Sequence, residues 1–200
     1  MLGAKLGNRL DTPLTWLLCK IKGENLNPTA LTLLGLFFNI IATVLIIIDY
    51  WRIAAFVILF AGFFDMLDGV VARNFGKVSK FGGFIDSVID RYSDLSLLIG
   101  IIIFYTHSSN KFLVFLTSIV LLGTFLIPYT RAKAETFLSK CNVGIMERAE
   151  RIILLTVGCF FRIMPLILWI MAILTHLTVL QRIYYTWKES QKLQRQNFTS

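Results

Sequence analysis

Apolar and polar positions follow one another in long blocks along this chain, not residue by residue. Apolar stretches cover roughly 30–49, 53–73, 83–105 and 112–130. A fifth opens with MERAERIILL and stops near Phe161, and a sixth runs from Pro165 to Trp187. About 20 apolar residues cross the hydrocarbon of a bilayer, so the pattern predicts six transmembrane helices. The breaks between them are polar: 49–52, 74–82, the THSSN turn and 131–147. Asn27-Pro28-Thr29 supplies a helix start, with proline in the first turn. Ahead of it, Lys5, Arg9, Lys20 and Lys22 surround Leu10, Leu14, Leu17 and Leu18. That spacing predicts an amphipathic helix lying in the interface, with Trp16 at headgroup depth. The expected organisation is a juxtamembrane segment (1–28), a six-helix domain (29–187) and a polar tail (188–200) that is frayed or surface-bound. The fold class is an all-α integral membrane protein.

Composition agrees. With 56% hydrophobic and only 16% charged residues, the chain is not an ordinary soluble domain. A net charge of +8 fits nucleic acid or an anionic membrane face. Hydrophobicity selects the membrane, and no nucleic-acid partner is expected. Residues 1–27 lack the apolar core and small-residue end of a cleavable secretory signal. Cys19, Cys141 and Cys159 are widely spaced apolar fillers without metal-type pairing. Six spans put both termini on one side. Of the 20 Lys and Arg residues, only Arg52, Lys111 and Arg162 fall on the other. The positive-inside rule then places the termini and the 74–82 and 131–147 loops in the cytoplasm of a multi-pass cell-membrane protein.

The chemistry concentrates between Phe64 and Leu95, in FDMLDGVVARNFGKVSKFGGFIDSVIDRYSDL. Asp65 and Asp68 stand three apart, Asp86 and Asp90 four apart, so each pair shares one face of a helix. An ionised carboxylate near hydrocarbon costs roughly 2.5–3.5 kcal/mol even on the lenient insertion scale. Four together require a cation, and hard oxygen donors on two helices suit Mg²⁺ or its relatives. Gly69, Gly82 and Gly83 leave room for a ligand against backbone. Arg73 lies one turn beyond Gly69. Such a set suits a diphosphate, whose charge metal ions offset and whose breaking bond they polarise. One carboxylate not fully used by metal is free to take a proton from an incoming hydroxyl.

The full pattern D-x2-D-G-x2-A-R-x8-G-x3-D-x3-D is met by Asp65, Asp68, Gly69, Ala72, Arg73, Gly82, Asp86 and Asp90. It resembles the signature of the CDP-alcohol phosphotransferases, six-helix membrane enzymes that move a substituted phosphate from a CDP-alcohol to a hydroxyl and release CMP. The resemblance implies two Mg²⁺ ions, with Mn²⁺ as a substitute, held by Asp65, Asp68 and Asp86, and Asp90 as metal-proximal general base. It implies a CDP-alcohol site at Thr29, Thr32, Asp65, Asp68, Gly69, Ala72, Arg73, Ser79 and Gly82, and it implies a homodimer. YTRAKAE, GIMERAERIILL and QRIYYTW look like segments of the phosphatidylinositol phosphate synthases and their archaeal ether-lipid counterparts. That likeness implies a phosphorylated polyol acceptor, foremost inositol phosphate, its phosphate held by Arg131, Lys133, Arg151 and Arg182. Arginine suits a dianionic phosphate because its planar fork binds it in bidentate fashion.

Other readings compete. The acids could pair with Arg73 and Arg91 in a purely structural bundle. Arg131, Arg151 and Arg182 could be ordinary flanking charge. Asp94 continues the acidic stripe as a partner for an arginine, and Glu147 and Glu150 as partners for Arg148, Arg151 or Lys133. His107 and His176 read as packing or interface residues. The expected reaction is transfer of a phosphatidyl-type group from CDP-diacylglycerol or an ether-lipid analogue. Glycerol phosphate as acceptor, or a soluble CDP-polyol as donor, are the alternatives within the class. A divalent-cation transporter is the rival outside it. That rival expects acids spread along the bilayer depth, whereas these crowd one end. A non-catalytic scaffold should tolerate Asp90→Asn.

Overall fold

A computed structural model describes residues 26–138 and 140–199, with side chains as far as Lys192. Every regular element among them is a helix: α1 (Pro28–Ile47), α2 (Trp51–Asn74), α3 (Lys80–His107), α4 (Lys111–Ala134), α5 (Arg148–Phe161) and α6 (Met164–Thr199). Local chemistry sets their starts. The Asn27 side chain accepts from the Thr29 amide at 3.1 Å, Ser79 from Gly82 at 2.9 Å and Asn110 from Leu113 at 3.2 Å. Each bond satisfies an amide that has no partner within the helix. α5 opens on a capping box. The Glu150 carboxylate accepts from the Glu147 amide at 3.1 Å, and the Glu147 carboxylate accepts from the Glu150 amide. Both glutamates thus cap the helix.

Among the described residues, four helices are long and apolar enough to cross a bilayer: α1, α2, α4 and the Met164–Lys192 part of α6. α3 has 28 residues, but its N-terminal part carries Asp86, Asp90, Arg91 and Asp94. α5, expected as a full span, has only 14 residues. At about 1.5 Å per residue it falls short of the ~30 Å of hydrocarbon. Its first turn is charged and feeds the site, which leaves only the later turns apolar. Helix ends differ as well. α3 begins ahead of Gly83 because Ser79 caps it, and α4 and α6 continue past Thr130 and Trp187 as polar helices. Residues 1–25, the bulk of the expected interfacial helix, lie outside the described part.

The exterior is apolar. Phe37, Phe56, Phe115 and Trp169 are exposed, while Ala42, Ala54, Ala55, Leu97, Leu98 and Ile101 are buried. Large apolar side chains facing outward over the whole bundle mark a surface made for lipid. α1 packs on α2 and α3, α4 on α3 and α6, and α5 bridges α2 and α6. Two glycines permit the tightest crossings. A Cβ on Gly100 would lie 2.8 Å from Thr43 Cγ2, and one on Gly123 would lie 2.3 Å from Thr175 Oγ1.

The two ends of the bundle differ. At one, Arg162 donates to the carboxylate of Asp49 and ties the α5–α6 turn to the α1–α2 turn. At the other, Lys77 Nζ donates to the Leu26 carbonyl at 2.8 Å and fastens the α2–α3 loop over the start of α1. A small core of Leu31, Leu67, Val70 and Val71 lies there, where α1 meets α2. The acidic motif sits at this second end.

Candidate active site

The i, i+3 spacing on α2 and the i, i+4 spacing on α3 converge as expected. Carboxylate oxygens of Asp65, Asp68 and Asp86 lie within 4.8 Å of one another. Three hard oxygen donors at that separation fit Mg²⁺ or Mn²⁺ and suit softer thiolate-seeking metals poorly. Asp68 is buried, and Thr32 Oγ1 donates to its Oδ2 at 2.6 Å. That bond fixes one carboxylate oxygen and leaves the other for a ligand. Asp90, one turn beyond Asp86, stands apart from the triad. Its Oδ1 lies 2.8 Å from Arg148 Nη1, an ion pair without the alignment of a hydrogen bond.

Arg148 is the residue that sequence reasoning passed over. From the first turn of α5, its Nη1 donates to Asp65 Oδ2 at 2.7 Å, and its Nε lies 3.5 Å from Asp94 Oδ1. One turn on, Arg151 Nη2 donates to Asp94 Oδ2 at 2.6 Å. Asp94 is thus the arginine partner the stripe implied. The missed signal was the i, i+3 arginine pair at the charged start of a helix, which complements an aspartate stripe of one-turn spacing. The carboxylates still outnumber the guanidiniums around them, so the cluster retains negative charge for a cation to offset.

Two cavities meet this cluster. One, of about 590 Å³, is lined by Thr29, Thr32, Asp68, Gly69, Ala72, Arg73, Ser79, Gly82 and Asp86 among others. Every residue expected at the CDP-alcohol site except Asp65 is there. A Cβ on Gly69 would stand 3.1 Å from Arg73 Nη1, so glycine lets the guanidinium fold back over α2. The second cavity, of about 370 Å³, is lined by Asp90, Arg91, Asp94, Arg131, Arg148, Arg151 and Arg182, with Thr124, Phe125, Ile127 and Pro128 of α4. Asp86 belongs to the first cavity and Asp90 to the second. The acidic face of α3 therefore borders both.

The basic residues of the second cavity are used unequally. Arg151 is buried, and its Nε and Nη1 find no hydrogen-bond partner among the described residues. A buried guanidinium with unspent donors is the mark of a ligand site. Arg182 is also buried, but its Nε donates to the Val143 carbonyl at 2.9 Å and its Nη1 to the Ile127 carbonyl. It clamps the 135–147 loop to α4. Arg131 binds Glu135 at 3.0 Å and Asn142 at 3.2 Å. Its hydrogen bond holds the Glu135 carboxyl below the ordinary carboxylate range. Lys133 is exposed and does not line the cavity.

Fold and site together define an integral membrane protein with a metal-suited acid cluster at one end, bordered by two polar cavities. Comparison with known proteins completes the assignment. Residues 25–181 match the model of the CDP-alcohol phosphatidyltransferase family. The chain belongs to that family and is an enzyme of its transferase class, acting in phospholipid biosynthesis. Over 90% of its length it is 33% identical to an archaetidylinositol phosphate synthase of Pyrococcus horikoshii, 94% of which is covered. It is 29% identical to a phosphatidylinositol phosphate synthase of Mycobacterium tuberculosis, over 90% of this chain and 86% of that one. The crystal structure of the mycobacterial enzyme with CDP-DAG bound superposes with a TM-score of 0.78 at 29% identity, covering 90% of this chain and 94% of that chain. Its complex with manganese and citrate gives 0.77 at 29% identity, over 88% of each chain.

Proposed function

We propose that this enzyme transfers a phosphatidyl-type group from a CDP-alcohol lipid, CDP-diacylglycerol or an ether-lipid analogue, to a hydroxyl of a phosphorylated polyol, releasing CMP. Inositol phosphate is the acceptor the reading favours. One observation carries it: a cavity lined by every residue expected at the CDP-alcohol site except Asp65 and a cavity bearing a buried, under-used arginine share the acidic face of α3. The identities with archaetidylinositol and phosphatidylinositol phosphate synthases support the same acceptor.

Asp65, Asp68 and Asp86 would hold divalent cations, Mg²⁺ foremost. When bound, such ions offset pyrophosphate charge and polarise the P–O bond that breaks. Thr32 keeps Asp68 oriented, and Gly69 with Arg73 receives the nucleotide side of the donor. In the second cavity Arg151 grips the acceptor phosphate, with Arg131 and Arg182 at its edge. Asp90 accepts the proton of the attacking hydroxyl at its carboxylate. The hydroxyl oxygen forms the new P–O bond, and CMP leaves with the electrons of the old one. The positive-inside bias supports a site at the cytoplasmic face, where lipid headgroups lie, with α3 and α5 completing a six-helix bundle in the cell membrane.

The test is CMP release by purified protein given Mg²⁺ and CDP-diacylglycerol, its ether-lipid analogue or a soluble CDP-polyol, with inositol phosphate, glycerol phosphate or free polyol. Release with inositol phosphate alone supports the reading. Release only with glycerol phosphate moves the acceptor, and none with any CDP-alcohol dismisses the class.

A further inference from the structure

Threonine in a helix commonly spends its hydroxyl on the carbonyl one turn back. Thr117 of α4 does so on Leu113 at 2.7 Å, Thr156 of α5 on Ile152 at 2.8 Å and Thr175 of α6 on Met171 at 2.7 Å. Thr124 of α4 does not. It is only 3% exposed, yet its Oγ1 has no hydrogen-bond partner among the described residues. A buried hydroxyl left unmade is costly, which makes such a residue a pointer to something that completes it.

Its backbone is unusual too. Pro128 stands four residues on, inside the helix. Proline has no amide hydrogen, so the Thr124 carbonyl lacks the i+4 donor every other turn supplies. Nearby, the Ile127 carbonyl accepts from Arg182 Nη1 and from Thr130 Oγ1. Thr124 thus carries an unspent hydroxyl and a carbonyl without its helical partner. It lines the 370 Å³ cavity beside the apolar faces of Phe125, Ile127 and Pro128, and shares that cavity with Arg151 and Asp90.

We propose that this proline-broken turn of α4 is the polyol-reading wall of the acceptor cavity. The Thr124 hydroxyl donates to one hydroxyl of the acceptor, and that same hydroxyl donates to the Thr124 carbonyl. The hydroxyl so read is neither the attacking one nor the phosphorylated one. A hydroxyl is both donor and acceptor, so it answers the pair, and a hydrogen in its place answers neither. Phe125, Ile127 and Pro128 offer the C–H face of the carbon skeleton an apolar surface. Arg151 fixes where the phosphate sits; Thr124 decides which polyol fits behind it. The inference rests on the phosphorylated-polyol reading above and deepens it.

The experiment measures CMP release by the full-length protein, with Mg²⁺ and CDP-diacylglycerol, on inositol phosphate and a set of its mono-deoxy analogues. Wild type should lose about tenfold in kcat/KM on one deoxy isomer. Thr124→Val, equal in shape, should lose about the same tenfold on the parent acceptor and nothing further on that isomer. Donor KM should stay put, and Thr124→Ser should recover the parent acceptor. Pro128→Ala restores an amide to the Thr124 carbonyl without harming a helix, and should also raise the acceptor KM. Thr124→Val indistinguishable from wild type, or weakened alike on every analogue, overturns the proposal while leaving the acceptor class intact. Wild type inactive with every phosphorylated polyol overturns both.

Discussion

At the scale of single residues, the site works by fixing charges in place. Thr32 illustrates it: one hydroxyl, 2.6 Å from Asp68, holds a buried carboxylate that faces the 590 Å³ cavity. Thr32→Val removes that donor at nearly constant volume. A hydrogen bond to a charged group is worth about 1.5–3 kcal/mol, so Mn²⁺ titration and donor KM should both weaken by about tenfold or more. Arg151 should behave in the opposite sense. Arg151→Gln should raise the acceptor KM by about 10–100-fold, from the same energy range, and leave the donor KM unchanged. An unaltered acceptor KM would remove Arg151 from the acceptor site. The aspartate motif was legible because helical periodicity alone predicts which carboxylates share a face. Arg148 was harder to read, because its partner Asp65 lies 83 residues away and the arginine pair gains its meaning only once set beside the aspartate stripe. The spent state of Arg182, bound to two backbone carbonyls, was hidden for the same reason.

At the scale of elements, α5 matters most. The stretch read as a fifth span is a helix of 14 residues whose capped start delivers Arg148 and Arg151 to the acids of α2 and α3. Its cap, Glu147 with Glu150, leaves the arginines to face the site. Arg148 touches Asp65, Asp90 and Asp94 at once. Arg148→Met should therefore destabilise the chelator-treated protein by at least about 1–3 kcal/mol, the cost of stranding partly buried charge. Thermal unfolding in detergent should show a Tm several degrees lower with chelator, and added Mn²⁺ should recover most of the loss. An unchanged Tm in chelator would contradict the role given to Arg148. The apolar blocks revealed where α1, α2, α4 and α6 run. Asn27-Pro28-Thr29 marked the start of α1, but hydropathy missed the start of α3, because the Ser79 side chain decides it.

At the scale of the whole molecule, lipid-facing side chains surround a polar end where two cavities share one acidic helix. The α2–α3 loop and the Asp49–Arg162 contact stand at opposite ends of the bundle. Single cysteines should report this. Cys141 and Cys159 are buried, so in a Cys19→Ser background a membrane-impermeant maleimide applied to sealed vesicles should label Lys77→Cys from the cytoplasmic face alone and Asn110→Cys from the other alone. Labelling of both from one face would refute the topology. The central claim is that Asp90 acts on the acceptor while Asp65, Asp68 and Asp86 serve metal and nucleotide. The most direct test is Asp90→Asn, with CDP-diacylglycerol affinity and CMP release measured on the same preparation in Mn²⁺. Affinity should hold while turnover falls by about a thousandfold. Turnover close to wild type, or nucleotide binding lost together with it, would contradict the account.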